Sequence, residues 1–534
     1  MSLPPIEFAN SASHPTSFSV TFVYEEDIGV VTRDGTRLAA DVFHPSQAQP
    51  GPTVVVRTPY GRNTVASRSL QVDVLRLVDH GYSVVIQDVR GRGGSEGQFQ
   101  PFLNEKHDGL DTLEWVADRP WCNGSVAMAG SSYLAFCQTA VAAEAPEHLK
   151  AWIPLFPPFD VASGWVRENG AFSLGFNLAW LMGAMAVTGN EDIDREAITA
   201  AMDRWLDVAT LGAQQPLLAD SVLGGVLEKW GDPDANIDVP RPTLAKVRAP
   251  ALVVAGWFDV FQPESFDLYE GLSVTSSDHA LVVGPWDHSF LPLSNRSGDR
   301  YFGRSAAIDL GALQLSWLDT HLKAEEGPPP RARYFITGAN TWQSGSEWPP
   351  PHTYQTWYPG RGGSLSRETP AEARSDEVTL IADNPTPTLG GRVFPWEPIL
   401  RPGSYDQRRI EQRSDVLTYT SSQLTTSCLV TGRIRCSIGV SSTSGCDVVI
   451  TVADVHPDGS SWNIADGVAR SFDPGNAVID VRLGDTAHRF ESGHRIRLTV
   501  AFASFPRIDI HPRGDGVRSV VLGEQTALHL PVAV

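Results

Sequence analysis

The sequence predicts an α/β protein with a mostly parallel β-sheet core, a helical segment inserted into that core, and an all-β domain towards the C-terminus. Three observations lead to this prediction. Short runs of continuous apolar, β-branched residues recur between Thr53 and Val283, with helical segments between them. A long stretch without a strand pattern interrupts the series, and the chain beyond Arg331 becomes rich in Thr, Ser, Val and Gly.

Each apolar run ends in a turn or in a segment of helical character. Continuous apolarity is typical of strands that are covered on both faces, and helical connections imply right-handed crossovers in a parallel sheet. The predicted core strands are Thr53–Arg57, Tyr82–Ile86, Val126–Ala129, Ala151–Pro154, Ala251–Val254 and Ala280–Val283.

The interruption, Phe159–Asp238, is predicted to be helical and to form a cap over the active edge of the sheet. Asn190, Glu191 and Asp192 offer an N-cap and an acidic first turn. The apolar residues that then fall on one helical face are Ile193, Ala197, Ala201, Met202, Trp205 and Ala209.

The chain changes character after Pro328-Pro329-Pro330. Arg495–Phe502 alternates apolar with mostly polar residues, as half-buried antiparallel strands do, and Leu429–Val440 and Asp447–Val455 are similar. We therefore expect a β-sandwich, of the jelly-roll type. The predicted domains are the α/β core at residues 1–158 and 239–330, the helical cap at 159–238, and the β-sandwich at 331–534.

Composition excludes several classes of function. Lys and Arg number 42 against 62 Asp and Glu in 534 residues, and the resulting net charge of −20 repels a nucleic-acid backbone. The densest apolar stretch, Leu178–Val187, is far shorter than the roughly 18 residues that a membrane span needs. We expect neither a nucleic-acid partner nor a membrane-spanning segment.

The cysteines and the N-terminus bear on the cellular compartment. The cysteines are few and lack Cys-x-x-Cys spacing, which argues against a disulfide framework or a zinc knuckle and favours a reducing compartment. Met1–His14 has no basic start followed by an apolar run, so it does not look like a secretion signal. The expectation is a soluble cytoplasmic protein. The cysteines are Cys122, Cys137, Cys428, Cys436 and Cys446.

The sharpest local signal for chemistry is the strand, tight turn and small-residue helix that surround Ser132. A nucleophilic serine needs this arrangement, because the turn lifts the hydroxyl clear of the sheet and the helix N-terminus favours developing negative charge. Ser132 is the candidate nucleophile. The alternative is that Ser132 merely caps the helix, since Leu134 stands where the usual Gly-x-Ser-x-Gly pattern has its second glycine.

Gly93-Gly94-Ser95-Glu96-Gly97 matches that five-residue pattern literally, but the segment after it cannot start a helix packed on the sheet. Ser95 is therefore expected to be a loop residue. A phosphate-binding loop is also disfavoured there, because the Lys-Ser/Thr ending is missing.

A nucleophilic serine needs a base and an acid that orients it, in the chain order Ser, Asp or Glu, His in this fold class. The fifth and sixth predicted strands lead into Asp259 and His288, which we assign as the orienting acid and the general base. Asp287 is the rival acid, but as the immediate neighbour of the base it would have difficulty reaching the ring from behind. Taken singly, such residues more often serve as helix caps or packed side chains.

These motifs make the chain resemble the serine hydrolase group that contains the bacterial cocaine esterases and X-Pro dipeptidyl-peptidases, with the α-amino acid ester hydrolases and glutaryl-cephalosporin acylases. The family's elbow reads Gly-x-Ser-Tyr-x-Gly, so Tyr133 fits and Ala135 departs from it. The matching segments are Arg33–Leu38, Arg57–Tyr60, Gln87–Gly91, Gly130–Tyr133, Gly256–Asp259, Gly284–His288 and Phe505–Arg507.

The resemblance implies an α/β-hydrolase core with a helical cap and a C-terminal jelly roll. It also implies an oxyanion hole formed by the backbone N–H of Tyr133 and the hydroxyl of Tyr60. An aromatic acyl group would contact cap tryptophans, a phenylalanine after the acid, and two residues of the jelly roll. The matching positions are Trp165, Trp180, Phe261, Val393 and Phe394, although such tryptophans equally often just pack helices together.

The expected function is hydrolysis of an ester of a bulky, aromatic carboxylic acid through an acyl-enzyme, with a small-molecule substrate and no metal or organic cofactor. The sequence shows neither the N-terminal extension of the peptidase branch nor the secretion signal of the α-amino acid branch, which favours the esterase branch. The alternatives are an amidase, either an X-Pro dipeptidyl-peptidase or a β-lactam acylase, and more remotely a carbohydrate-binding protein with an inactive hydrolase domain. A homodimer is compatible with the sequence.

Overall fold

The computed structural model describes most of the chain. The described residues are 21–46, 49–186, 196, 200, 221–289, 293–324, 330–370, 374–380, 384–512 and 516–534. The residues predicted to form the N-cap and helical face at 190–209 lie outside them, apart from residues 196 and 200.

The α-helices of the described chain are short. They are α1 (Val74–Asp79), α2 (Glu105–Ala117), α3 (Tyr133–Ala142), α4 (Leu174–Leu178), α5 (Val222–Gly231), α6 (Gln262–Ser273), α7 (Leu310–Leu318) and α8 (Arg408–Glu411). None of the described helices is long and apolar enough to cross a membrane.

Among the described residues, ten strands form one mixed sheet, in the order β1-β2-β4-β3-β5-β6-β9-β10-β13-β14. Neighbouring strands from β4 to β13 in this order run parallel, as predicted. The strands are β1 (Phe22–Val31), β2 (Arg37–Pro45), β3 (Gly51–Thr58), β4 (Ser83–Asp88), β5 (Cys122–Ser131), β6 (Leu149–Leu155), β9 (Leu252–Gly256), β10 (Ala280–Gly284), β13 (Ala332–Ile336) and β14 (Thr341–Gly345).

Both faces of this sheet are covered. In β3, Val54 and Val56 belong to one hydrophobic cluster while Val55, which points the opposite way, belongs to another. All three side chains are fully buried. The continuous apolar runs therefore arise because each face of the sheet packs against its own layer.

The sheet extends beyond the predicted limits at both ends. At one end, β1 and β2 extend the sheet with antiparallel pairs that were not predicted from the sequence. At the other end, β13 pairs in parallel with β10, so the sheet continues past the predicted domain boundary at residue 330. The proline run preceding β13 suggested a boundary, but Ala332–Ile336 is itself a short and largely buried run of the kind that parallel sheets contain.

The described part of the cap region is mostly helical. It contains α4 and α5 together with π-helical segments at Val161–Val166 and Ala179–Ala186. Contrary to the expectation that this region has no strands, β7 (Arg167–Glu168) and β8 (Ala171–Phe172) form a small antiparallel hairpin. Strands of two residues are too short to show an alternating pattern in the sequence.

The C-terminal part is the predicted β-sandwich. Its two sheets are joined at β15, which pairs with β25 on one side and with β16 on the other, and they enclose one core that includes Ile438, Ile450 and Leu498. The remaining paired strands are β11 (Arg296–Ser297) and β12 (Arg300–Tyr301) in a separate hairpin. Those of the sandwich are β15 (His352–Gly360), β16 (Ser364–Ser366), β17 (Arg374–Leu380), β18 (Val416–Ser421), β19 (Cys428–Ser442), β20 (Cys446–Val455), β21 (Ser461–Ser471), β22 (Gly475–Phe490), β23 (Arg495–Ala501), β24 (Gly516–Leu522) and β25 (Ala527–Ala533).

Candidate active site

Ser132 lies on a sharp turn between β5 and α3. Its backbone has φ 60° and ψ −123°, which non-glycine residues rarely adopt, and its N–H donates to the carbonyl of Leu155 at 2.9 Å. A side chain on Gly130 would place Cβ only 2.7 Å from Cβ of Leu134, so the turn requires glycine there. The Ser132 side chain makes no capping hydrogen bond to α3. This argues against the interpretation of Ser132 as a helix cap.

Ser95 is held in a structural role. Its hydroxyl donates to the carbonyl of Asp88 at 2.7 Å and accepts from the N–H of Ala39 at 2.8 Å. The hydroxyl is buried between two backbone segments, which agrees with the prediction of a loop residue.

The predicted acid and base meet at the carboxyl ends of β9 and β10. Nδ1 of His288 lies 2.6 Å from Oδ2 of Asp259, while the other carboxylate oxygen accepts from the N–H of Phe261 at 2.7 Å. Asp259 is fully buried and His288 is 3% exposed. A carboxylate that is bonded at both oxygens holds the imidazole in one orientation, with its Nε2 directed away from the acid.

The rival acid, Asp287, is engaged elsewhere. Its Oδ2 accepts from the hydroxyl of Ser297 at 2.5 Å, and its Oδ1 accepts from the N–H of Ser289 at 2.9 Å. Asp287 therefore shapes the loop after β10.

Tyr60 follows β3 and packs against the main aromatic cluster of the cap. Its hydroxyl accepts a hydrogen bond of 3.1 Å from the indole N–H of Trp180. Burial raises the pKa of the Tyr60 phenol well above its ordinary value, and hydrogen bonds with Trp180 and Ser132 offset only part of that rise. Tyr60 thus stays protonated at neutral pH and has a proton to donate beside Ser132.

The backbone N–H of Tyr133 lies at the start of α3, next to Ser132, and its side chain is buried in the core. As the first residue of α3, it has an N–H without an acceptor inside the helix. Its phenol is fully buried, donates to Oε1 of Glu105 at 2.7 Å and accepts from the N–H of Phe102 at 2.9 Å. Glu105 in turn pairs with Arg57 at 2.9 Å, with both side chains buried.

This network of Glu105, Arg57 and Tyr133 was not predicted from the sequence. The available signal was a pair of opposite charges within otherwise apolar surroundings, Arg57 at the end of a predicted core strand and Glu105 at the start of a helix. Buried charges of this kind are retained when they are paired. Here they lock the side chain of the residue that follows the candidate nucleophile.

The residues predicted for an acyl pocket lie together around the candidate base. The Trp165 ring stacks on Phe261 with centroids 4.9 Å apart and meets the Trp180 ring edge-on at 5.0 Å. The His288 ring lies 5.2 Å from the Phe261 ring and 5.5 Å from the Phe394 ring. Val393, from the same segment as Phe394, is buried in the same apolar cluster.

The aromatic cluster contains further residues that sequence analysis did not identify. Phe102 packs edge-on against Trp165 at 4.9 Å, Phe176 lies 5.3 Å from Phe261, and Trp230 stacks on Trp180 at 5.8 Å. Trp230 had a readable signal, because it shares one face of α5 with buried apolar side chains at helical spacing.

Glu264 ties α6 to the first turn of the cap. Its Oε2 accepts from the N–H of Asp160 at 2.8 Å, and a side chain on Gly164 would clash with the Glu264 carboxyl group, with Cβ only 2.4 Å from its Cδ. Burial raises the pKa of Glu264 to about 7. The segment that leads to Trp165 is therefore anchored on a carboxyl that titrates near neutral pH.

Two family models match the chain. Residues 34–290 match the X-Pro dipeptidyl-peptidase (S15 family), and residues 326–530 match the X-Pro dipeptidyl-peptidase C-terminal non-catalytic domain. The cocaine esterase of Rhodococcus sp. (strain MB1 Bresler) is 32% identical over 541 residues, which cover 92% of this chain and 92% of the esterase.

Solved structures show the same fold. The aminopeptidase from the marine sediment archaeon Thaumarchaeota archaeon superposes with a TM-score of 0.81 at 23% identity, covering 99% of this chain and 100% of the aminopeptidase. An α-amino acid ester hydrolase superposes with a TM-score of 0.72 at 21% identity, covering 97% of this chain and 100% of the hydrolase. The predicted α/β-hydrolase architecture is confirmed.

The resemblance drawn from the short motifs is thus supported along nearly the whole chain. The first model includes the elbow and the loops after β9 and β10, the second covers most of the β-sandwich, and the esterase match covers 92% of the chain. We conclude that the chain belongs to the S15 family of serine hydrolases, the family of the X-Pro dipeptidyl-peptidases and of cocaine esterase.

Proposed function

We propose that this enzyme hydrolyses carboxylic esters with a bulky, aromatic acyl group through a covalent acyl-enzyme. The observation that carries the proposal is the strained backbone of Ser132, at φ 60°, on the same sheet edge as the 2.6 Å contact between His288 and Asp259. A strained turn is maintained where it serves a purpose, and exposing a nucleophile above a helix N-terminus is such a purpose.

In the proposed acylation step, Oγ of Ser132 attacks the ester carbonyl carbon while Nε2 of His288 takes its proton. Asp259 stabilises the imidazolium through Nδ1. The carbonyl oxygen becomes an oxyanion, which accepts from the Tyr133 N–H and the Tyr60 hydroxyl. Collapse of this tetrahedral species expels the alcohol, which receives the proton from the imidazolium.

Deacylation repeats these roles with water as the nucleophile. His288 deprotonates the water as it attacks the acyl carbon, and the returning proton restores the Ser132 hydroxyl. The carboxylic acid then leaves. This cycle needs no group beyond those of the chain and a water molecule.

The aromatic surroundings support the proposed acyl preference. The Trp165 ring stacks on the Phe261 ring, and the Phe261 and Phe394 rings each pack against the His288 ring. An aromatic acyl group would join this cluster and gain both apolar burial and ring contacts. The relative of 32% identity is a cocaine esterase, which agrees with an ester substrate.

The test combines active-site labelling with a substrate panel. A fluorophosphonate probe should label the wild type and Ser95→Ala but not Ser132→Ala. On p-nitrophenyl esters, kcat/KM should rise from acetyl to benzoyl and phenylacetyl. Labelling that survives Ser132→Ala would contradict the mechanism, and absence of labelling in the wild type would favour an inactive hydrolase domain with a carbohydrate-binding role.

An amidase is the second candidate, since both family models bear the name of X-Pro dipeptidyl-peptidase. Release of p-nitroaniline from Ala-Pro-p-nitroanilide faster than any ester of the panel is hydrolysed, at matched concentration, would select it. We expect the ester to be cleaved faster, because the rings of Phe156, Phe261 and Phe394 pack against His288 and favour an apolar acyl group over a charged α-amino group.

A further inference from the structure

A second cluster of titratable side chains lies in the β-sandwich, where β20, β22 and β23 end or begin. Its centre is the carboxylate of Asp454, near the end of β20. Nδ1 of His494 lies 2.8 Å from Oδ1 of Asp454, and Nε2 of His456 lies 3.4 Å from Oδ2. Neither the α/β core nor the proposed mechanism uses these side chains.

The ligating atoms of Asp454, His456 and His494 all lie within 4.8 Å of one another. Two ligand atoms on a tetrahedral ion with metal–ligand bonds of about 2.0–2.1 Å are roughly 3.3 Å apart. Measured from one oxygen, Oδ2 of Asp454, Nδ1 of His494 is 3.1 Å away and Nε2 of His456 is 3.4 Å away, which is close to that value. The three side chains thus lie close enough together to bind one ion after a small adjustment.

The His456 imidazole supplies an independent observation. Its Nε2 is buried and lies 3.4 Å from Oδ2 of Asp454, without the geometry of a well-formed hydrogen bond. A buried nitrogen with so poor a partner destabilises the fold. A cation between Nε2 and the carboxylate would satisfy both groups.

His488 supports the carboxylate from the buried side. Its Nε2 lies 3.2 Å from Oδ2 of Asp454, and its Nδ1 lies 2.8 Å from the hydroxyl of Thr337. The ring is therefore held at both nitrogens and fixes the orientation of the carboxylate. Metal-binding side chains are commonly oriented by such a second layer of hydrogen bonds.

We propose that Asp454, His456 and His494 bind one divalent first-row transition-metal ion of the zinc type, with His488 as a positioning residue. Two imidazoles and one carboxylate suit zinc, whereas calcium and magnesium prefer sets made only of oxygen ligands. The ion would tie the turn after β20 to the turn before β23. Its role would be to stabilise the sandwich, apart from the proposed catalysis.

The surroundings of the cluster permit access by a cation. The side chains of His456 and His494 are 23% and 14% exposed, so the site opens to solvent on one side. The net charge of −20 favours a cation. Arg300 opposes a cation here, because it interacts electrostatically with Asp454, but its guanidinium lies over the Trp462 ring at 4.6 Å.

The test titrates zinc chloride into the tag-free, chelator-treated full chain, by calorimetry and by thermal unfolding. We expect about one zinc per chain and a higher Tm in the loaded protein. His494→Gln and His456→Gln should each weaken zinc binding at least about tenfold. Cobalt chloride should give the visible absorption bands of a tetrahedral site in the wild type and lose them in both variants.

Two control variants separate this site from other histidines. His529→Gln removes a half-buried histidine of the same sandwich, and His288→Gln removes the candidate base; both should bind zinc as the wild type does. The proposal is overturned if the wild type binds no zinc, if either cluster variant binds zinc unchanged, or if binding is lost only in His288→Gln. Asp454→Asn is avoided as the main variant because the buried carboxylate also holds His488.

Discussion

The indole N–H of Trp180 donates to the hydroxyl oxygen of Tyr60 across 3.1 Å, which joins the cap to the candidate oxyanion hole. Because the Tyr60 oxygen accepts from Trp180, its own proton must be directed to another acceptor. Trp180 is itself held between the rings of Tyr133 and Trp230, at 6.0 and 5.8 Å. A residue predicted only for acyl binding thus also orients a residue predicted for charge stabilisation.

Tyr60→Phe tests the oxyanion donor. The change keeps the ring and its packing and removes only the hydroxyl, so kcat should fall roughly 10²–10³-fold, about 3–4 kcal/mol, with little change in KM or Tm. Steady-state kinetics on a benzoyl ester measure this. Near-normal kcat would show that another group holds the oxyanion.

Trp180→Phe tests whether the cap orients Tyr60. Since the indole N–H is lost while an aromatic ring remains, kcat should fall about tenfold on acetyl and benzoyl esters alike, which corresponds to about 1.4 kcal/mol. In the Tyr60→Phe background the same change should have almost no effect, because the hydroxyl that it orients is absent. Fully additive losses in this double-mutant cycle would show that Trp180 does not act through Tyr60.

Trp165→Ala tests the acyl pocket. Trp165 touches Phe261 and Trp180 but has no hydrogen bond at its indole nitrogen, so its loss should act mainly through apolar contact. We expect kcat/KM on benzoyl esters to fall by an amount equivalent to about 1–3 kcal/mol of lost transition-state stabilisation, and kcat/KM on acetyl esters to fall by less. Equal losses on the two esters, with a lowered Tm, would assign Trp165 to packing of the cap.

The sequence predicted the core strands well because their apolar runs are set by burial on both faces, which depends on local composition. The sequence also predicted that Asp259 and His288 lie close together, because the carboxyl ends of neighbouring parallel strands meet at one edge of the sheet. The edge strand β1 was missed because a half-exposed antiparallel strand lacks continuous apolarity. Strand β2 is largely buried, but Asp41 interrupts its apolar run. The proline run before β13 suggested a domain boundary that the hydrogen bonding of the sheet does not follow.

Contacts between distant segments could not be predicted in this way. The bond from Trp180 to Tyr60 joins residues 120 positions apart, and the Asp454 cluster depends on the register of β20, β22 and β23. Neither the residue types nor their spacing along the chain encodes these distances. They follow from sheet order and strand pairing, which fix positions only once the chain has folded.

Asp259→Asn tests the choice of acid against Asp287→Asn. The first change removes the charge that stabilises the imidazolium and should cut kcat by about 10⁴-fold in a folded protein. The second change weakens the hydrogen bond to the Ser297 hydroxyl. It should lower Tm while leaving kcat largely unchanged. Circular dichroism confirms folding of both variants, and a larger loss of kcat in Asp287→Asn would reverse the assignment.

Glu264 makes stability depend on pH in a direction that can be worked out. Burial raises its pKa from 4.5 to about 7 in the folded chain, whereas the unfolded chain releases the proton near 4.5. Between these values the folded state binds the proton more tightly, so this group lowers the stability of the fold as pH rises from about 4.5 to 7. Above pH 7 the ionisation of Glu264 has lowered the free energy of unfolding by its full amount, roughly 3 kcal/mol.

Glu264→Gln should remove that cost, because the amide oxygen can still accept from the N–H of Asp160 while no charge forms at any pH. We expect the variant and the wild type to have similar free energies of unfolding at pH 4.5, and the variant to be more stable by up to about 3 kcal/mol at pH 8. Urea unfolding at pH 4.5, 6, 7 and 8 measures the difference, and subtracting the two curves cancels every other titrating group. A difference that stays constant with pH would show that folding does not shift the pKa of Glu264. A wild type that is more stable than the variant at pH 8 would show that the charge of Glu264 is stabilised in the fold.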